Sequence, residues 1–241
     1  MRVKYAGVVF ELEYGCRDAD RLFERYATDE GADEKISVTE EDLTRTFIKI
    51  NDYGFRQHPE WRMPEENLVS DAIHEKMCPL LLRHDVLVFH GAGLAMDNRG
   101  YVFLAPHYTG KTTHTRHWQK CFGERVTLID EDKLLVKVSG DGIYVYGSSW
   151  GPETEPGMLD CVPLVCVVGL RRGADNIIEQ MDKRDALRLV TRHGFRSNDP
   201  IQLLHGIELF DRIATEIPFA SLQCIDDISA AQVAYDYLKN V

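Results

Sequence analysis

The sequence lacks any long apolar run. In its 241 residues the longest one, residues 161–170, is interrupted by Pro163 and Gly169, and it is much shorter than the roughly 18 residues that cross a bilayer. A run of this length is typical of a buried strand. The N-terminal residues contain no long apolar segment followed by small cleavage-site residues, so we predict no secretory signal. We therefore expect a cytoplasmic protein with no membrane partner.

Positive charge is also scarce. The 28 Lys and Arg residues are outnumbered by 39 Asp and Glu residues, which gives a formal net charge of −11. An acidic surface repels a phosphate backbone, and no basic stripe interrupts it, so we predict no nucleic-acid partner. An anionic ligand such as a nucleotide would need a local site of positive charge or of aligned backbone N–H groups.

Paired cysteine motifs are absent as well. None of the six cysteines belongs to a CxxC pair, and most lie in apolar stretches. This pattern favours reduced thiols in the core over disulfides or a metal site. A chain of this length can bury roughly 70% of the surface that its unfolded form exposes, so its core needs no such covalent or metal links.

The pattern of apolar residues divides the chain near residue 62. Loose alternation predicts strands at 4–12 and 46–50, so residues 1–62 are expected to form a small β-rich portion packed on the core. A period near 3.6 predicts a helix from Pro64 that is kinked or ends near Pro79. Beyond it strands and helices are mixed, and residues 91–100 are predicted to be a turn-rich connector. The predicted fold class is mixed α/β, with residues 63–241 as the main domain.

Residues 105–112, with the sequence APHYTGKT, lie between a predicted strand and a predicted helix. They match GxxxxGK[ST] with alanine in place of the first glycine. In such a loop, backbone N–H groups and the helix N-terminus bind phosphate oxygens, the lysine reaches the β- and γ-phosphates, and the threonine hydroxyl binds Mg²⁺. A helix start followed by a solvated lysine would give the same letters. The motif predicts ATP and Mg²⁺ as cofactors, bound through Thr109, Gly110, Lys111, Thr112 and Thr113.

Three consecutive acidic residues, Asp130, Glu131 and Asp132, follow a predicted strand about twenty residues after Lys111. Carboxylates at this place can hold Mg²⁺ directly or through water, and one can accept the proton of an attacking hydroxyl. An acidic triplet alone is usually a solvated turn, but its distance from the loop favours a role in the site. We predict all three as catalytic residues with Lys111, and as metal ligands with Thr112.

Four stretches carry a family resemblance: FHGAGL at 89–94, VFLAPHYTGKTTHT at 102–115, TLIDEDK at 127–133 and GSSWG at 147–151. Together they resemble the bacterial HPr kinase/phosphorylase-related kinases, which share a P-loop core with ATP-dependent phosphoenolpyruvate carboxykinase. The resemblance extends from about residue 65 to the C-terminus and is weaker before it. It implies an HPr kinase/carboxykinase-type core and ATP-dependent phosphorylation of a hydroxyl on a protein, a peptide or a small molecule.

The resemblance also implies individual roles. Glu131 and Asp132 match the paired acids of the family, and Asp130 stands where asparagine is usual. A register shifted by one would pair Asp130 with Glu131, so all three are retained. His90 matches a histidine beside the nucleotide site and is predicted to be catalytic, although a hydrogen-bonded buried histidine is the equal alternative.

The chain departs from the family pattern at three positions. His107 and Tyr108 replace small residues in the loop, where a positive φ would strain a tyrosine, and Glu153 stands where lysine is expected. Arg171 and Arg172 could balance phosphate charge or form a solvated turn.

Several interpretations of the function therefore stay open. The leading one is a phosphotransferase acting on an unknown hydroxyl acceptor. The alternative is a catalytically impaired nucleotide-binding pseudokinase, or a regulatory module that binds a peptide or another partner. Carboxykinase chemistry on a small keto acid is a third interpretation. ATP, GTP or pyrophosphate could be the donor, and we allow for a homo-oligomer.

Overall fold

The computed structural model describes residues 1–54, 63–150, 158 and 160–241. The chain divides into two compact units, Met1–His84 and Asp85–Val241. The predicted boundary between residues 62 and 63 falls inside the range of the first unit, because the helix that follows it belongs there. Both units contain strands and helices, so the mixed α/β class is confirmed.

The described residues of the first unit form a three-stranded sheet and three α-helices. The strands are β1 (Arg2–Tyr5), β2 (Val8–Glu13) and β3 (Glu34–Ser37), and the helices are α1 (Asp20–Phe23), α2 (Glu40–Gly54) and α3 (Glu65–Arg83). Strand β2 is central, antiparallel to β1 and parallel to β3. Helix α3 continues through Pro79 and ends at Arg83, beyond its predicted end.

The single strand predicted for residues 4–12 is a hairpin. Its tight turn places Ala6 at a φ of 50° and Gly7 at a φ of 83°. Two central residues with positive φ give a turn whose twist matches that of the flanking strands. The alternation seen in the sequence therefore belongs to two antiparallel strands, β1 and β2.

The strand predicted for residues 46–50 is wrong, because these residues lie in α2. Thr39 and Asp42 cap this helix reciprocally: the Thr39 N–H donates to the Asp42 carboxylate at 2.9 Å, and the Asp42 N–H donates to the Thr39 hydroxyl at 3.3 Å. Such a capping box, with further acids in the first turn, stabilises a helix start. It outweighs the local strand preference of the β-branched residues, and the first unit is therefore mixed instead of β-rich.

In the described part of the second unit, nine strands form one mixed sheet with four α-helices around it. The strands are β4 (Val86–His90), β5 (Ala92–Met96), β6 (Arg99–Leu104), β7 (Val126–Asp130), β8 (Lys133–Ser139), β9 (Gly142–Tyr146), β10 (Val162–Arg172), β11 (Ile177–Gln180) and β12 (Phe219–Cys224). The helices are α4 (Lys111–Phe122), α5 (Lys183–His193), α6 (Pro200–Glu216) and α7 (Ser229–Leu238). The strand order is β4-β8-β9-β10-β6-β5-β7, and β12 joins β10 to β11.

The turn-rich connector predicted for residues 91–100 is wrong for most of its length, because it contains strand β5 and the start of β6. Strand β5 is antiparallel to both β6 and β7, and every one of its residues is buried. A strand buried on both faces shows no alternation of apolar and polar residues. A Cβ at Gly93 would lie 2.8 Å from a methyl carbon of Leu134, so the glycine allows a close approach and does not mark a loop.

Four strands end at the same edge of this sheet. Strands β6 and β12 both run parallel to β10, and β7 runs in the direction of β6 because both are antiparallel to β5. The loop that follows β6 therefore lies close to the ends of β7 and β10. Ligands of open α/β sheets bind outside the carboxyl ends of the strands, so a binding site is expected at this edge.

Helix α4 is anchored above this edge by Trp118, which is fully buried. The indole lies 5.6 Å from the ring of Tyr101 and 6.1 Å from that of Phe103, both on β6. Ala231 and Ala234 of α7 complete the same core. Large aromatic side chains bury much apolar surface, so the first turn of α4 is held firmly over the sheet.

Two further expectations from the sequence concern membrane-spanning helices and the state of the cysteines. Within the described ranges, no helix combines the length and the apolar character needed to cross a bilayer. All six cysteines are free thiols, of which Cys78 and Cys166 are buried and the others partly exposed.

Candidate functional site

The loop between β6 and α4 adopts a shape that leaves the helix start open. Gly110 has a φ of 109°, and a Cβ built on it would meet no atom within 4 Å. The backbone bond from the His114 N–H to the Gly110 carbonyl measures 2.9 Å, and no described side chain caps the helix. The N–H groups of Lys111, Thr112 and Thr113 therefore have no partner within the helix, as an anion-binding loop requires.

Tyr108 is strained as the sequence predicted. Its φ is 61°, a value that costs a bulky residue roughly 1–2 kcal/mol, and its side chain is 95% exposed. Arg172 holds this conformation from the end of β10, because its Nη2 donates to the Tyr108 carbonyl at 2.8 Å and its Nε to the Thr109 carbonyl at 3.3 Å. Arg172 therefore contacts the loop directly, a role that neither of the two sequence-based interpretations, charge balance for phosphate and a solvated turn, includes.

Lys111 is buried inside the loop, with 7% of its surface exposed. Its ammonium donates to the carbonyls of Ala105 at 3.0 Å and Pro106 at 3.3 Å, and lies 3.2 Å from His90 Nε2. Burial lowers the pKa of Lys111, and the charge of Asp132 opposes this effect. The amine is thus held at the centre of the loop by neutral acceptors.

His90, at the end of β4, links Lys111 to Asp132. An ammonium can only donate and an ionised carboxylate can only accept, so the contacts with Lys111 and Asp132 together make Nε2 the acceptor and place the ring proton on Nδ1. The Lys133 ammonium, 3.4 Å from this nitrogen, then donates to Asp132 and not to Nδ1. That nitrogen lies 2.9 Å from a carboxylate oxygen of Asp132. The structure therefore brings together three of the predicted catalytic residues in one hydrogen-bonded chain.

The surroundings of Asp132 favour its ionised form. Burial opposes ionisation, but the hydrogen bond from His90 and the charge of Lys133 outweigh it and lower the pKa of Asp132 to about 2. Lys133 Nζ lies 3.1 Å from the carboxylate. Asp132 is the most accessible of the three consecutive acids, with 37% of its side chain exposed.

Asp130 faces away from the loop and holds the turn of the acidic segment. One of its oxygens accepts the N–H groups of Asp132 at 2.8 Å and Lys133 at 3.1 Å. The other accepts the N–H of Ser148 at 2.9 Å and its hydroxyl at 3.1 Å. Burial raises the pKa of Asp130, against the effect of these bonds. Both oxygens are engaged, and Asp130 does not line the cleft around Lys111.

Glu131 turns towards α4. Its two oxygens lie 3.2 Å from the Thr115 hydroxyl and 3.4 Å from Arg116 Nη2. Thr115 lies one helical turn after Thr112, so the Glu131 carboxylate is on the side of α4 that carries the predicted Mg²⁺ ligand. The three acids, equivalent in sequence, thus have three different environments.

Two histidines add to the site. The ring of His107 lies 4.2 Å from that of His90, and desolvation together with the charges of His90 and Lys111 lowers its pKa. His193, which sequence reasoning missed, ends α5. Burial, and then the charges of Arg192, Lys111 and His90, lower its pKa to about 4.

The position of His193 depends on the residue that follows it. Gly194 pairs with Phe89 next to His90, and a Cβ at Gly194 would lie 2.4 Å from the Phe210 ring. Only a glycine permits so close an approach. This long-range pairing, which brings the end of α5 to the site, is invisible in the local sequence pattern.

Two clefts meet at the loop. The larger, of about 390 Å³, is lined by His90, Lys111, Thr112, Glu131 and Asp132, among others. The smaller, of about 240 Å³, lies along His114 and His117 of α4 and reaches Asp226 after β12. Gly110, Thr113 and Arg172 line both. Glu153 lies outside the described residues.

Comparison with known proteins gives little beyond this geometry. No family model matches the chain, and no curated protein matches it in sequence. Among solved structures, the HPr(Ser) kinase/phosphatase from Coxiella burnetii aligns over 64% of this chain and 94% of its own, with 7% sequence identity and a TM-score of 0.39. So weak a likeness carries no argument, and the function of this chain has to be inferred from its own residues.

The larger cleft combines features suited to a phosphorylated ligand. It contains a buried ammonium, an uncapped helix start and two carboxylates of different surroundings. Among the described residues, no group of three or more His, Cys, Asp or Glu side chains could enclose a metal ion. A magnesium ion bound together with phosphates needs only one or two carboxylates and keeps several waters. Thr112 and Glu131 offer oxygens of the right kind, and Glu131 would exchange its contact with Arg116 Nη2 for the ion.

Proposed function

We propose that the second unit is an ATP-dependent phosphotransferase with a P-loop, which transfers the terminal phosphate to a hydroxyl acceptor. The observation that carries the proposal is the position of Lys111: its buried ammonium lies within the loop, beside an uncapped helix start and in one cleft with Glu131 and Asp132. This arrangement supplies the local positive site that an acidic chain needs to attract a nucleotide.

The loop would bind the phosphates of the donor. Lys111 would exchange its bonds to the Ala105 and Pro106 carbonyls for bonds to phosphate oxygens, and the N–H groups at the start of α4 would add further donors. Arg172 keeps the loop in shape through the Tyr108 and Thr109 carbonyls. Little ordering is then required on binding, which favours affinity.

The metal would lie between α4 and the acidic segment. The hydroxyl of Thr112 and the carboxylate of Glu131 are the hard oxygen ligands that Mg²⁺ prefers. When bound, Mg²⁺ neutralises charge that develops on the phosphates. Asp130 supports this site indirectly, because its hydrogen bonds fix the turn that presents Glu131 and Asp132.

Asp132 is the proposed base. It would accept the proton of the acceptor hydroxyl while the acceptor oxygen bonds to the terminal phosphorus, and the bond from that phosphorus to the bridging oxygen of ADP breaks. His90 orients Asp132 through its Nδ1–H, and Lys111 fixes the tautomer of His90. Most of the rate enhancement would come from positioning and charge neutralisation, as in other phosphoryl transfers.

A second candidate function is a nucleotide-binding module that turns over slowly or not at all. Two observations favour it: the pKa of about 2 makes Asp132 a weak base, and the Lys111 amine already has acceptors within its own loop. Such a module would hold a nucleotide, or a peptide, to regulate a partner.

Nucleotide-dependent thermal stabilisation tests the shared part of both candidates. At an ATP concentration of 100 times Kd with Mg²⁺, binding adds about 2.7 kcal/mol, and the midpoint of unfolding should rise on the order of 5–10 °C. Lys111→Ala should remove this rise. Lys120→Ala, an exposed lysine on the same helix, is the matched control and should keep it. Equal stabilisation of both variants would refute the proposed loop.

Asp132→Asn separates the two candidates. Because Asn cannot take a proton, the variant should keep ATP binding and lose Mg²⁺-dependent release of ADP, measured with water or an added alcohol as the acceptor. Wild-type turnover that falls at least tenfold in the variant supports the phosphotransferase. Saturable binding without any turnover in the wild type supports the binding module.

A further inference from the structure

The two clefts lie along two sides of α4. Gly110, Thr113, His114 and His117, spaced as one helical face, line the smaller cleft, whereas Lys111 and Thr112 line the larger one. The clefts meet at Gly110, Thr113 and Arg172. A ligand whose phosphates occupy the larger cleft can therefore continue into the smaller one.

His114 in the smaller cleft has an unsatisfied donor. The residue is 3% exposed, and the indole N–H of Trp118 lies 3.0 Å from its Nε2. An indole nitrogen can only donate, so Nε2 is the acceptor and Nδ1 carries the proton. Among the described residues this buried Nδ1–H has no partner. Buried polar groups are nearly always hydrogen-bonded, so a missing acceptor is the expected explanation.

The charges of the smaller cleft favour an uncharged group. Arg172 lines this cleft with a positive charge, and Asp226, 82% exposed and 3.6 Å from His117, balances it with a negative one. Ile225 and Cys224 add apolar surface. A nucleoside matches this lining, because it is neutral, offers several acceptor atoms, and has a flat base that packs on apolar side chains.

We propose that the smaller cleft binds the nucleoside of the phosphate donor, and that His114 Nδ1–H donates to an acceptor atom of its ribose or base. This inference rests on the proposed function, since it assumes that the phosphates occupy the larger cleft. Trp118 acts as a positioning residue by fixing the tautomer of His114. The preference of the protein for one phosphate donor over another then depends on His114, a side chain that contacts neither the phosphates nor the metal.

Two matched variants isolate the Nδ1–H. His114→Gln keeps an acceptor near the place of Nε2 for Trp118 and leaves no donor at the place of Nδ1, because its amide N–H groups lie farther along the side chain. His114→Asn keeps a donor near the place of Nδ1. We would measure, by calorimetry with Mg²⁺, the affinities of wild type and both variants for ATP and for inorganic tripolyphosphate. Wild type should prefer ATP. His114→Gln should weaken ATP binding about tenfold and leave tripolyphosphate binding unchanged, and His114→Asn should lose less.

The outcomes distinguish this inference from the proposed function. If wild type binds neither ligand, the proposed function fails and the inference fails with it. If wild type binds both equally, or if His114→Gln weakens both equally or neither, the phosphate loop stands and the inference alone is overturned.

A measurement on the wild type needs no variant to fold. The Nδ1–H proton of His114 should give a resolved imidazole resonance, because it is buried. ATP should shift this resonance, and tripolyphosphate should not. A resonance that responds to neither, or identically to both, overturns the inference.

Discussion

Replacing Tyr108 by glycine should stabilise the protein. Tyr108 has a φ of 61° in the phosphate loop, which only glycine adopts without a steric penalty. The ring is 95% exposed, and its nearest aromatic neighbour, His107, lies 6.2 Å away between ring centroids. Removing the side chain therefore sacrifices almost no packing.

The size of the effect follows from two opposing contributions. Relief of the left-handed conformation is worth roughly 1–2 kcal/mol. The greater freedom of glycine in the unfolded chain costs roughly 0.5–1 kcal/mol. The net gain in the free energy of unfolding is about 0.5–1 kcal/mol, which corresponds to a rise of the unfolding midpoint on the order of 1–4 °C.

Urea denaturation, monitored through tryptophan fluorescence in a Trp61→Phe background, measures this gain in the unit that contains the loop, where Trp118 and Trp150 remain. Tyr108→Ala is the matched control, because it removes the same ring and keeps a Cβ at the same φ. Tyr108→Asn should fall between the two, since asparagine tolerates this conformation better than most residues. If the glycine variant is no more stable than the alanine variant, the assigned strain is refuted.

Two other perturbations test the surroundings of the loop. Arg172→Met removes both bonds to the loop carbonyls and should weaken binding of Mg²⁺-tripolyphosphate about tenfold in calorimetry. Arg171→Met, at the exposed neighbouring position, should leave this binding unchanged. Equal effects of the two substitutions would show that only net charge matters. His193→Gln should reduce the loss of unfolding free energy that occurs as the pH falls from 7 to 5. His193 takes up a proton near pH 6.5 in the unfolded state and only near pH 4 in the folded state, so the free energy of unfolding falls as the pH drops between these values. Urea midpoints at pH 7, 6 and 5 that fall equally in wild type and variant would contradict this.

The sequence predicts those elements whose signals are local. Helix α3 begins at Glu65, as the apolar period from Pro64 predicts, and Asp182 caps α5 by accepting the Asp185 N–H at 2.8 Å. The loop before α4 stands between a strand and a helix, as its motif requires. In each case neighbouring residues contain the whole signal, whether it is a cap, a glycine or a period.

One failure concerns a local signal, the capping box before α2, and the others arise where distant contacts decide. Residues 46–50 resemble a strand until the reciprocal cap of Thr39 and Asp42 is recognised, and β5 shows no alternation because neighbours cover both of its faces. The different surroundings of Asp130 and Asp132 depend on Ser148 and His90, which are remote in sequence. Spacing alone therefore could not assign a separate role to each acid.

Helix α4 presents two chemically different sides from a single element. If the side with His114 and His117 contacts the nucleoside and the side with Lys111 and Thr112 contacts the phosphates, the choice of donor and the transfer step can be altered separately. Substitutions at 114 and 117 would then change nucleotide preference in an otherwise intact catalyst. Substitutions on one side of this short helix would thus change selectivity for the phosphate donor without changing the residues that act in the transfer step.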